Sequence, residues 1–469
     1  MEKYNILSKE NLYKVSNQKY IILIFLVCAC TCYFFIYNDA PFFGGDTKQY
    51  LEVAQDIRDF QIDKMHYRSI GFPILLALTG SSETPTRVLY LASLILYFFS
   101  VYIISLFLLR LKLKFSLVFL FSLILAMPFF VQNSAMVMSE NFTTFTLVTG
   151  FIFFIKGFLL KNNIYLILSG LFWGFSALIR PTFQFLILPI LLIIFLYLSI
   201  YEKEGILLTL KKTIQRSFFL LLGFIVLIFL NSAFNHIYFK YFGLTPVLGV
   251  ILSTRTVNFV EDLPDNYKME REILVKHRDR SLVRGVSHTA LVYIEDALPE
   301  LMDSTKLNFL HLSKRLEKIS LLLIKKSPMK YLRSVGIAGV SFWFPFATDL
   351  VTKNKITEYL NIICWGILVF IFFSQFLLTV VLLISLILPL AFIRKDLLLF
   401  LYSHRKYIIS LLVINVIIFY NFFVTIFLNV GEPRHRSPTD IFIIMSIFLV
   451  TGIFIKFRNH LKNKRPEVI

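Results

Sequence analysis

Asn38 to Gly80 reads NDAPFFGGDTKQYLEVAQDIRDFQIDKMHYRSIGFPILLALTG, and it is the first polar ground behind the first long apolar run, Tyr20 to Tyr37. The Gly44-Gly45 pair lets the backbone turn tightly. From Asp46 onward, Tyr50, Val53, Ala54, Ile57 and Phe60 recur at helical spacing, with Lys48, Glu52, Gln55, Asp56, Arg58 and Asp59 on the other face. This pattern predicts an amphipathic helix of roughly four turns, suited to lying on a membrane surface. Tyr67 to Pro73 follows, and then Ile74 to Leu78, an apolar run far too short to span a bilayer. Asp46 has two readings. With Gln49 three residues on it resembles a capping box. Equally, it is a carboxylate delivered to a membrane edge, where it can do chemistry.

Composition sets the class. Of 469 residues, 57% are hydrophobic and 16% charged, well below the charge of a soluble domain, so the chain is a polytopic membrane protein. The 52 Phe and 22 Tyr suit lipid-facing helices and interfacial belts. A net charge of +19 would point to nucleic acid in a soluble chain, but here much of the basic charge falls in short loops between apolar runs and reads as topology, with no nucleic-acid partner. Cys28, Cys30, Cys32 and Cys364 lie within apolar runs and form no ligand set or outer-face disulfide. The first run lacks a small-residue cleavage site and reads as a retained span.

The positive-inside rule then threads the chain. Lys3, Lys9, Lys14 and Lys19 precede the first span and stay inside, which sends Asp46 outside. Arg110, Lys112 and Lys114 lie inside, as do Lys156 and Lys161, then Lys203, Lys211, Lys212 and Arg216. By parity the long polar insertion from Lys240 to about Lys355 is outside, and its Leu/Ile pattern from Leu307 to Ile324 predicts short helices with a solvated charged face. Ile356 to Ile393 exceeds the ~20 residues one span needs. It reads as one tilted helix, with a loop of Arg394, Lys395, Arg405 and Lys406 inside; two spans would require Tyr331 to Phe346 to cross as well. The expected fold is all-α, with about ten transmembrane helices, an outer amphipathic-helix loop and a small helical outer insertion. Its parts are an N-terminal transmembrane module, 1–239, carrying the outer loop 38–85; the outer insertion, 240–355; and a C-terminal transmembrane module with a basic tail, 356–469.

Three further features fall on the outer side. Ser139-Glu140 opens the fourth span, where a carboxylate is either an interfacial group reaching water or a functional one. Arg180-Pro181-Thr182 ends the fifth, where a guanidinium either snorkels to headgroups or binds a phosphate. Arg434-His435-Arg436-Ser437-Pro438 puts basic residues in a short outer loop, against the positive-inside trend. Two arginine forks there would pair phosphate oxygens bidentately.

Taken in order, these segments resemble the GT-C class of integral-membrane glycosyltransferases, the polyprenyl-phosphate-sugar-dependent mannosyl- and arabinosyltransferase relatives. Gly45-Asp46, Tyr50 and Arg68-Ser69-Ile70-Gly71-Phe72-Pro73-Ile74-Leu75-Leu76-Ala77-Leu78 stand where that class has its first outer loop. Met138-Ser139-Glu140 resembles the Ser-Glu opening of a later helix, and Gly170 to Thr182 resembles a Gly-Leu-Ala-x-Leu-x-Arg-Pro-Thr signature. Arg434-His435-Arg436 stands for Arg-Tyr-Arg, with His in place of Tyr. Lys326-Ser327-Pro328 to Leu332, with Trp343 behind, matches a further segment of docking character.

The resemblance implies transfer of a sugar from a polyprenyl-phosphate donor to a lipid, glycan or protein acceptor, with inversion, at the outer face of a bacterial inner membrane. It implies Asp46 and Glu140 as catalytic residues, and Tyr50, Arg68, Arg180, Arg434, His435 and Arg436 as substrate-binding ones. A divalent cation between Asp46 and Glu140 stays open. There is no Walker A, Gly-x-Gly-x-x-Gly or Asp-x-Asp motif, so no nucleotide site is indicated. A lipid-linked-sugar flippase or transporter is an alternative, and so is a polysaccharide polymerase or ligase. The first would carry paired ionisable residues near mid-membrane and internal repeats, and this chain shows no repeat.

Overall fold

The computed structural model describes residues 9–61, 68–201, 205–283, 290–345, 355–387, 403–429 and 431–464. Tyr67, Lys203, Arg394 and Lys395 lie outside the described residues. All the regular structure described is helical. The long apolar runs give α1 (Lys9–Ile36), α4 (Arg87–Arg110), α7 (Glu140–Leu160), α9 (Ile187–Tyr201), α10 (Ile206–Phe239), α16 (Lys355–Ile387), α17 (Arg405–Leu428) and α18 (Ser437–Lys464). Among the described residues eight helices are long and apolar enough to cross a membrane. A ninth candidate is the pair α5 (Phe115–Leu125) and α6 (Pro128–Val131), bent by 59° where Pro128 starts a new first turn. The shorter apolar helix α8 (Asn163–Ile179) completes the ten expected segments. α16 runs unbroken through its described length, as one crossing requires, and α15 (Pro328–Phe342) is not among the spans.

The spans share one core, and small residues set how closely they pack. A Cβ on Gly170 would meet the Leu220 carbonyl oxygen at 2.1 Å, and one on Gly223 would meet the Ile167 carbonyl oxygen at 2.1 Å. The backbones of α8 and α10 therefore touch, which only glycine permits. The insertion builds a second core from α11 (Leu248–Thr256), α12 (Lys268–Val283), α13 (Ala290–Thr305) and α14 (Phe309–Lys326). Leu312, Leu316, Ile319 and Leu323 give α14 its buried stripe, and Asn308 caps it by accepting from the His311 amide at 3.0 Å.

One expectation needs correcting. The helix behind Asp46 is α2 (Thr47–Arg58), about three turns rather than four, and its apolar face packs on protein. Tyr50, Leu51 and Ala54 are buried against Phe72 and Leu76 of α3 (Gly71–Leu78) and against Phe142 and Ile179 of the span ends. The Tyr50 and Phe72 rings meet edge-on at 4.9 Å. Phe60, counted on the apolar face, lies past the helix end with φ 55 and is 86% exposed. The apolar face is covered by protein, so the polar face alone meets solvent.

Candidate functional site

Five separate segments of the chain converge on one cavity of ≈ 140 Å³. Asp46 comes from the loop after α1, Glu140 from the start of α7, Arg180 from the end of α8, Glu295 from α13 in the insertion, and Arg434 with His435 from the turn after α17. Arg68 and Tyr50 line it as well. The opposite ends are fastened to each other elsewhere, where Lys456 of α18 donates to the Leu111 carbonyl at 2.9 Å just past α4.

Local packing explains the convergence. The loop after α1 is stitched to the segment before α7 by a parallel bridge, in which the Phe42 amide donates to the Ala135 carbonyl at 2.7 Å and the Val137 amide to the Phe42 carbonyl at 3.0 Å. That pairing sets Asp46 and Glu140 beside one cavity. Gly71 does the same for Arg68 and Arg180: a Cβ there would lie 2.4 Å from the Leu178 carbonyl carbon, and Ser69 donates to the Ile179 carbonyl at 3.3 Å. The α3 block is thereby pressed onto the residues that lead into Arg180.

The charges form two linked sets. Asp46 Oδ1 accepts from Arg68 Nη2 at 2.5 Å, and Oδ2 lies 3.1 Å from Arg434 Nη1. Arg68 Nε donates to Gln49 Oε1 at 2.8 Å, and Gln49 Nε2 donates to Glu295 Oε1 at 3.2 Å. Arg68 also lies over the Tyr50 ring, 5.1 Å from its centroid. Across the cavity, Arg180 Nη1 donates to Glu140 Oε1 at 2.8 Å and Nη2 to His435 Nδ1 at 2.7 Å. Arg434 Nε lies 2.9 Å from Glu432.

These surroundings fix protonation. Burial pushes the Asp46 carboxyl up, but Arg434, Arg68 and Arg180 outweigh it and hold it below the usual carboxylate range. Burial, then Arg434 and Arg180, hold the His435 imidazole well below its ordinary value. His435 is therefore neutral, accepts at Nδ1, and keeps a buried Nε2–H without a protein partner. Burial raises the Glu295 carboxyl, against the Gln49 hydrogen bond and Arg68.

Asp46 does sit at the N-cap position of α2, yet its side chain makes no cap hydrogen bond. Thr47 closes that turn instead, its Oγ1 accepting from the Gly44 amide at 2.7 Å. The Asp46 carboxylate is thus free of helix capping and given over to arginines. Arg436 does not join the cavity. Its guanidinium is fully buried, donates to Asp440 Oδ1 at 2.8 Å and to the Phe342 and Phe344 carbonyls at 2.5 Å, and stacks on Trp365 at 4.1 Å. The expected fork of two adjacent arginines is thus replaced by Arg434 with Arg180 and Arg68, drawn from three separate segments. Sequence reading left Glu295 and Gln49, which link to Arg68 at the cavity wall, out of the site; their only signal was a place in charged polar segments.

Among the described residues no three His, Cys, Asp or Glu side chains group as a metal site. Arg68 and Arg434 hold Asp46 and Arg180 holds Glu140, so a divalent ion bridging the two carboxylates would take the place of these guanidiniums.

No protein-family model matches the chain, and no curated protein matches it. It is similar to the solved structure of the oligosaccharyltransferase AglB from Archaeoglobus fulgidus in complex with an inhibitory peptide and a dolichol-phosphate, at 13% identity and TM-score 0.46, covering 96% of this chain and 53% of that one. It is similar also to the Archaeoglobus fulgidus oligosaccharyltransferase in the apo form, at 12% identity and TM-score 0.48, with 96% and 53% covered. The chain spans about half the length of these solved structures.

Proposed function

We propose that the protein is an inverting glycosyltransferase of the GT-C type, moving a sugar from a polyprenyl-phosphate donor to an acceptor hydroxyl at the outer face of the membrane. One observation carries the reading. A carboxylate held ionised by two guanidiniums sits in a cavity at the ends of apolar helices, with a third guanidinium facing it. Such a cavity suits a phosphate whose lipid tail lies along the spans.

In this reading the lipid phosphate draws Arg434, and with it Arg180, into bidentate contact. Loss of Arg434 from Asp46 raises that carboxylate's proton affinity, which makes it a better base at the moment the donor is seated. The acceptor oxygen attacks the anomeric carbon, its proton passes to Asp46, and the bond from that carbon to the phosphate oxygen breaks. The leaving lipid phosphate keeps the bonding electrons. Its growing charge is met by guanidiniums already in place, with the His435 Nε2–H as a neutral donor. Glu140 holds Arg180 in position, and Glu295 with Gln49 holds Arg68. No step is assigned to a metal ion.

The test is to incubate the purified protein with defined polyprenyl-phosphate-sugars and candidate acceptors, and to read products by mass spectrometry. Release of the lipid phosphate with an acceptor heavier by one glycosyl unit is expected. Turnover of a nucleotide-sugar without any lipid donor would overturn the reading.

A further inference from the structure

A second and larger cavity, ≈ 510 Å³, opens between α4, α7 and the start of α17. It lies at the far ends of these helices from the charged cluster. Lys156 on its rim is some 24 Å along α7 from Glu140. Arg110, Lys156, Arg405 and Lys406 line it, no carboxylate does among the described residues, and the rest of the described lining is apolar apart from Thr149, with Phe107 and Phe153 among it. The positive-inside rule explains basic residues at this end of the bundle. It does not explain why four of them, from three separate segments, close around an apolar groove in which, among the described residues, no acid faces them.

Thr149 adds an independent sign. Its side chain is about nine-tenths buried, it lines the groove, and its Oγ1 has no hydrogen-bond partner. It lies about two turns deeper than Lys156, so the cavity runs from a cationic mouth down an apolar wall with a hydroxyl in it. A free anion would need only the mouth.

We propose that this groove is a binding site for an anionic phospholipid, its phosphate headgroup held by Arg110, Lys156, Arg405 and Lys406 and its acyl chain along the apolar wall. Cations at the membrane surface attract anionic headgroups, and basic pockets between spans recur as headgroup sites. The occupant is fixed by this combination of charge and apolar depth. The site is separate from the donor cavity and does not depend on the glycosyltransferase reading.

The experiment is native mass spectrometry and thermal unfolding of the full chain in neutral detergent, titrated with phosphatidylglycerol, phosphatidylcholine or inorganic phosphate. Phosphatidylglycerol should give a retained one-lipid adduct and a raised melting temperature; the other two should give neither. R405Q/K406Q and R110Q/K156Q should each weaken phosphatidylglycerol binding at least tenfold. K211Q/R458Q, which removes two basic residues outside the groove, should leave it within twofold. Equal binding of phosphatidylcholine, an equal shift with phosphate alone, or equal loss in the control pair would overturn the proposal.

Discussion

Asp46 and Arg434 face each other at 3.1 Å, although almost the whole chain separates them, and Arg68 holds the other Asp46 oxygen at 2.5 Å. The two arginines are 23% and 15% exposed at their side chains and the carboxylate 19%, so none of the three is freely solvated. A ligand phosphate that reaches Arg434 must compete with Asp46. Donor binding and the basicity of Asp46 are therefore linked through one guanidinium.

The two arginines of the Arg434-His435-Arg436 turn should behave differently. Arg434→Ala should lower kcat/KM for the lipid-phosphate donor by a factor corresponding to about 1.5–3 kcal/mol, the loss of a charge-assisted hydrogen bond. Arg434→Lys should rescue only in part, because an ammonium lacks the fork. Arg436→Ala should instead destabilise by roughly 3–5 kcal/mol, since it strands the buried Asp440 carboxylate. Steady-state kinetics beside thermal unfolding separate the two. Equal kinetic defects in both variants, with unchanged melting, would contradict the assignment.

The Glu140–Arg180 pair is nearly buried, with side chains 5% and 11% exposed. Removing one partner alone should cost about 3–5 kcal/mol of stability, whereas Glu140→Gln with Arg180→Met together should cost much less, because no lone charge is left. A double-mutant cycle by thermal unfolding measures the coupling. Additive losses would show that the two groups do not depend on each other.

Glu295 predicts a pH dependence with a definite sign. Its folded carboxyl is raised, chiefly by burial, so the fold favours the protonated form. The stability this group contributes is complete below its unfolded value, near 4.3, and is lost as pH rises through the folded one. Asp46 runs the other way: its carboxyl is lowered, so its contribution is present above its unfolded value and is lost as pH falls through the folded one. Glu295→Gln keeps an acceptor for Gln49 and removes the rise-of-pH penalty. It should melt no lower than wild type at pH 7, and its advantage should shrink toward pH 4. Melting curves across pH 4–8 check this, and a variant less stable at pH 7 than at pH 4, relative to wild type, would refute it.

Much of this was readable in the chain because lipid leaves few choices. Apolar runs must be helices, and basic loops sort their ends, so Asp46, Glu140, Arg180 and Arg434 fall on one side from parity alone. What the chain could not display was rotation about the backbone. Arg434 and Arg436 are indistinguishable by position, and the short turn Pro433–His435 decides that one meets the cavity and the other turns to Asp440 and Trp365. Glu295 was hidden for a related reason: in a segment of mixed charge, nothing marks the carboxylate that a tertiary contact with Gln49 brings to the cavity. The face of α2 was misjudged because amphipathicity says that a partner exists, not whether it is lipid or Phe72.

The central claim is that Asp46 takes the proton, and single-turnover transfer by Asp46→Asn with saturating lipid donor tests it most directly. Asn keeps the shape but cannot accept a proton at neutral pH, and it leaves Arg68 and Arg434 without their carboxylate. The apo variant should therefore melt lower than wild type, while the donor phosphate, no longer competing with Asp46, should bind at least as tightly. With donor bound and the protein folded, transfer should fall about a hundred- to ten-thousand-fold. A rate within a few-fold of wild type under those conditions would contradict the account, leaving Asp46 as a partner that only positions the arginines.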